Sequence, residues 1–194
     1  MSRLIVVGFI FCILGTSIAE AGEQRIDAGV TALQFNEVNS QYMPRPTFAS
    51  IKTELKTPSK SAIQFEIDGY GRGVASFEIA PEFIDENIEA INKYLKWAAM
   101  AKEKGDMLDK KIADVRGIDI GPFYNWNSYQ FHSGNKQSHY LVITKTRKGL
   151  FGNFEHVDGS GTIVFDEQNA NNLIKILLEF KEGKISVTKS DDYK

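Results

Sequence analysis

Thiols are almost missing from this chain. Cys12 is the only cysteine among 194 residues, and it sits inside an apolar N-terminal run. With that run removed, disulfide scaffolding, cysteine nucleophiles and thiolate metal sites are all excluded. About 170 residues remain, enough to bury a core without covalent staples. No Asn-x-Ser/Thr acceptor occurs either, which fits a host that does not glycosylate its exported proteins. The two absences favour a bacterial envelope or medium over a eukaryotic secretory route.

Charge of one sign is lacking too. Lys and Arg number 23 against 25 Asp and Glu, a net charge of −2. Binding to nucleic acid or anionic lipid needs a basic field. The densest basic stretch here is Lys145-Thr146-Arg147-Lys148, which reads as a solvated turn between strands. No nucleic acid partner is expected. Phosphate loops are missing as well: Gly69-Tyr70-Gly71-Arg72-Gly73 leads into a strand pattern, not into a helix N-terminus. Gly159-Ser160-Gly161 lacks the residues that separate serine from glycine in a nucleophile elbow. No catalytic residue, metal ligand or cofactor is assigned on this basis.

What is present begins with an address. Arg3 supplies a positive start, Leu4 to Leu14 are almost unbroken apolar residues, and Ala19 and Ala21 fit a small-x-small cleavage site. Residues 1–21 are therefore expected to be a cleavable signal peptide. The apolar run is shorter than the ~20 residues of a spanning helix, so no stable membrane anchor is expected. Residues 22–194 read as a single soluble globular α+β domain, placed in the periplasm or secreted.

Within that domain, period-two alternation marks strands and wider spacing marks helices. Ile63, Phe65 and Ile67 alternate with polar residues, as do Ala75, Phe77 and Ile79 after the glycine cluster, so the pair reads as a hairpin. Further strands are expected around 28–38, 47–56, 110–116, 124–132, 137–146, 149–157 and 161–165. One helix starts at Pro81, carries Ile84, Ile88, Ile91, Leu95 and Ala98 on one stripe, and ends at Gly105. A second follows a capping Asp166, with Ala170, Leu173, Ile174, Leu177 and Phe180, and ends before Gly183. Stripes that wide need a sheet to lie on. The expected architecture is a largely antiparallel sheet with two amphipathic helices packed on it. Gly71, Gly73 and Phe77 recur 88 positions later as Gly159, Gly161 and Phe165, an echo of a two-fold ββα repeat.

Two site hypotheses follow. In the first, the protein is a non-catalytic binding protein for a protein or small-molecule ligand in the envelope. Its candidate residues are Trp126, Ser133, Asn135, His139 and Tyr140, around a hairpin tip at Ser133 to Gln137. Asn125, Trp126 and Asn127 have the amphipathic character of a recognition surface, and Tyr94 and Trp97 offer an alternative on the flank of the first helix. In the second, a metal-dependent hydrolase uses His132, His139 and His156 with Glu155 or Asp158. The hairpin is expected to bring His132 and His139 near each other, although no two histidines have tight metal-motif spacing.

Overall fold

The computed structural model describes residues 24–26, 29–53, 55, 60–69, 73–120, 123–149 and 156–185. The signal-like segment, residues 70–72 where the hairpin turn is expected, and Glu155 lie outside them. In chain order the elements are β1 (Gln24–Ile26), β2 (Ala32–Asn36), β3 (Gln41–Arg45), β4 (Thr47–Thr53), β5 (Ser61–Gly69) and β6 (Gly73–Ile79). A 3₁₀ turn at Pro81–Phe83 then leads into α1 (Ile84–Lys104). There follow β7 (Asp109–Ile120), β8 (Phe123–Ser133), β9 (His139–Gly149), β10 (His156–Phe165) and α2 (Glu167–Lys181). The strands form a four-stranded sheet, β1-β4-β5-β6, and a six-stranded one, β3-β2-β10-β9-β8-β7. Every pairing among the described residues is antiparallel. The class is α+β, with both helices on one face of the larger sheet. Among the described residues no helix is long and apolar enough to cross a membrane.

Local chemistry explains the element ends. Asp166 caps α2 by accepting from the Asn169 backbone N–H at 2.8 Å. Gly105 ends α1 in the left-handed region at φ 68°, where its N–H and that of Asp106 reach back to the last carbonyls of the helix. Pro81 starts the 3₁₀ turn that tightens into α1. The buried side of α1 is Ile84, Asn87, Ala90, Ile91, Tyr94, Ala98 and Ala101. It is rotated from the expected stripe, leaving Ile88 and Leu95 at its margin. Tyr94 therefore is no flank residue. It is wholly buried, and its hydroxyl donates to the His139 carbonyl at 2.8 Å.

The expected hairpin of β5 and β6 is there, in register from Ile63↔Ile79 to Gly69↔Gly73. Its apolar side, with Phe65 and Phe77 stacked at 4.9 Å, joins the helices in one core. The edge strand β6 runs against the helix-facing side of the six-stranded sheet, where Phe77 meets Phe165 at 6.3 Å. Gly117, the residue left unpaired at the second bulge of β7, permits that approach: a Cβ there would lie 2.4 Å from the Glu78 carbonyl oxygen. Its own carbonyl accepts from the Ala80 N–H at 2.7 Å. Strand β3, beginning at Gln41, was not foreseen; it pairs with β2 as a short hairpin.

Lys145-Thr146-Arg147-Lys148 is no turn. It lies within β9, paired to β8 throughout. The ββα echo is real as connectivity, since β5–β6 leads into α1 and β9–β10 into α2. But β6 is a sheet edge and β10 is interior, paired on both sides. A repeat does not follow from that.

Candidate functional site

The β8–β9 hairpin carries most of the candidate residues, and its register decides where they go. Ser133 pairs with His139 and His132 with Tyr140, so the connecting tip is residues 134–138. Successive side chains alternate between faces. Phe131, Ser133 and His139 consequently face the helices, while His132 and Tyr140 face the other way. His132 and His139 are thus separated by the thickness of the sheet. The backbone of His156 pairs with Arg147, eight positions along β9 from His139, a distance of about 26 Å. Among the described residues no three His, Cys, Asp or Glu side chains come together. The side chains of His156 and Asp158 lie outside them.

On the inner face, Ser133 and His139 do meet. Ser133 Oγ and His139 Nδ1 share a hydrogen bond of 2.9 Å, and the Leu108 N–H donates to the same Oγ at 3.1 Å. Both residues are buried, with Phe131 stacked on the imidazole at 5.3 Å. Burial, then the nearby Lys102 ammonium, lowers the His139 pKa below its ordinary value. A nucleophile needs access to substrate; Ser133 is 8% exposed, and its Oγ is engaged by His139 and by the Leu108 N–H. The pair ties the hairpin tip to the segment leading from α1 into β7. Asn135 does local work too, accepting from the Gln137 and Ser138 N–H groups to close the turn.

The outer face is different in character. Tyr42 on β3 packs on Tyr140, ring centroids 4.1 Å apart, and edge-on against His132 at 6.2 Å. Phe35 adds a further ring 5.3 Å from Tyr42. In a flat sheet β3 would stand three strand spacings from β9, about 14 Å. Strand β2 meets β10 only at Val164↔Leu33, and the β2–β3 hairpin bends across the outer face. The result is a continuous aromatic patch, with Phe35 49% exposed. Asp109 sits at its border, its carboxylate 2.7 Å from His132 Nδ1 and accepting from the Ser133 N–H. Burial, then coupling to the Tyr140 phenol and to the Asp109 carboxylate, raises the Tyr42 pKa. Its phenol stays neutral.

Trp126 shares this outer face but not this patch. It lies six positions along β8 from His132, about 20 Å away. Its neighbours Asn125 and Asn127 belong to no surface, being 2% and 0% exposed on the inner face.

Sequence reasoning missed what those asparagines join. Asn87 on α1 donates to the Phe83 and Arg116 carbonyls and accepts from the Tyr129 hydroxyl at 2.6 Å and from Asn127 Nδ2 at 3.4 Å. Asn127 also donates to the Glu78 carbonyl. Beside them, Lys145 Nζ reaches Ser76 Oγ at 3.1 Å and Glu78 Oε1 at 3.4 Å, and Gln64 donates to that carboxylate at 2.9 Å. Glu78 alternates with Phe77 and Ile79, so its pattern reads as solvent-facing. Only the second sheet buries it. Tyr129 and Tyr94, both buried, have phenol pKa values pushed up by desolvation and act as fixed donors.

Neither the protein-family models nor the curated proteins compared with this chain match it.

Proposed function

We propose that this protein is an exported, non-catalytic binding protein of the bacterial envelope, capturing a protein or small-molecule ligand through the aromatic patch around Tyr140. The observation that carries the reading is the contiguity of Phe35, Tyr42, His132 and Tyr140 on the solvent side of the six-stranded sheet. Tyrosine and histidine present an apolar body and a polar edge, and aromatic residues such as Phe35, Tyr42 and Tyr140 are enriched at the centres of interfaces. The patch also has a rigid floor. Residues 123–133 and 139–149 are hydrogen-bonded strands, so the rings need little ordering on binding. Asp109 and His132 supply hydrogen-bonding groups at its margin.

Export itself is supported by the signal-like pattern of residues 1–21 and by the lack of cysteine beyond it. The test is a paired one. Immobilised wild-type protein and a Phe35→Ser/Tyr140→Ser variant are exposed to envelope extract under identical conditions. A component retained by the wild type and lost with the variant, at unchanged melting temperature, supports the reading. Equal retention by both proteins would remove the patch from the account.

A further inference from the structure

On the opposite side of the sheet from this patch, a cavity of about 160 Å³ opens at the C-terminal end of α1. Its floor is Phe131 and Ala101, and its walls are Trp97, Met100 and Leu108. Phe131 and Ala101 are closed to solvent, whereas Met100 and Leu108 are 42% and 37% exposed at the mouth. An apolar cavity of about 150 Å³ takes one benzene ring. This one matches a single aromatic ring or a short alkyl chain. Its methionine wall is unbranched and adaptable, suited to more than one apolar shape.

The rim is charged, and unequally. Lys104 and Lys110 stand at the cavity against one carboxylate, Asp106. The Lys93 and Lys110 ammonium groups each lie 5.1 Å from the centre of the Trp97 ring, and Lys93 is held there by the Ile112 carbonyl at 3.0 Å. The C-terminal carbonyls of α1 point toward the same end and favour cations. Two of them, on Ala101 and Lys102, are already occupied by the Gly105 and Asp106 N–H groups. Among the described residues lining the mouth, two ammonium groups therefore stand against one carboxylate. That excess would repel an amine and hold a carboxylate.

We infer that the cavity beside Trp97 binds small amphipathic acids, a ring or short alkyl body seated against Trp97 and Phe131 and one carboxylate facing Lys104 and Lys110. This site is independent of the Tyr140 patch and stands or falls separately.

The probes are phenylacetate and hexanoate, with phenylacetamide and hexanamide as uncharged counterparts. The chain has two tryptophans, so a Trp126→Phe variant leaves Trp97 as the only indole reporter. Titration with the acids should give a saturable change in Trp97 emission, with dissociation constants of about a millimolar or below. The amides should bind about three- to tenfold more weakly. Lys104→Gln/Lys110→Gln should bring the acids down to the amides and leave the amides where they were. Calorimetry on the wild-type protein supplies the same comparison if Trp126→Phe does not fold. No saturable change with either acid, or equal affinity of acids and amides, overturns the inference.

Discussion

The two faces of the β8–β9 ribbon are built from the same strands and handle polarity in opposite ways. The inner face buries Asn127, Ser133 and His139, half-buries Lys145, and connects most of their polar atoms to α1, β6 and the segment leading into β7. The outer face leaves Tyr140 and His132 beside water and collects two more rings from the β2–β3 hairpin. An unpaired polar group inside costs about 1–3 kcal/mol, while a surface group still has solvent. Inner substitutions should therefore act on stability, and outer ones on recognition.

Asn87→Ala should show the largest effect. It removes two donors and one shared acceptor, stranding the Tyr129 hydroxyl and one N–H of Asn127, and should cost about 3 kcal/mol in denaturant unfolding. A loss under about 1 kcal/mol would mean that water replaces the asparagine, and the inner face is wetter than described. Lys145→Met comes next. It takes from Glu78 the cation that the described residues set against it, and because both side chains keep about a tenth of their exposure the loss should be near 2 kcal/mol, below that of a fully buried pair. Restoring stability with Glu78→Leu in the same chain would show that the lone carboxylate caused the loss.

Gly117→Ala should cost about 1–3 kcal/mol, because the contact it creates is with backbone and neither strand can give way without losing the Ala80–Gly117 hydrogen bond. Acid should separate the faces in another way. The His139 pKa is lowered in the folded state, so the unfolded chain takes up that proton first. Stability is complete above the unfolded value of about 6.5 and declines as pH falls through it toward the folded value. The melting temperature should drop between pH 7 and pH 5, and the His139→Asn variant should show a flatter profile. An unchanged slope in that variant would assign the pH response elsewhere. The smallest effect belongs outside. Phe35→Ser/Tyr140→Ser should change stability by about 0.5 kcal/mol per site or less, and a larger loss would make the patch part of the fold.

Much of the architecture was readable because it is local. The hairpin at 61–79, both helix starts, the Gly105 stop and the Asp166 cap each depend on residues within a few positions of one another. The candidate site was legible only in fragments. Tyr140 is in the patch, Ser133 and His139 form a buried tie, Asn135 shapes the turn, and Trp126 lies elsewhere on the sheet. The pairing of His132 with Tyr140, not His139, turns on the tip being residues 134–138. One residue more or fewer would exchange the faces.

The sequence by itself determined strand phase, helix limits and the α+β class, since period and capping act through neighbours along the chain. Tertiary structure alone decided that Asn87 would be a buried junction, that Glu78 and Lys145 would meet between sheets, and that Tyr42 would cross onto Tyr140. Those contacts join residues 40 to nearly 100 positions apart. A pattern that specifies which face a side chain takes carries no information about what the rest of the fold will set against that face.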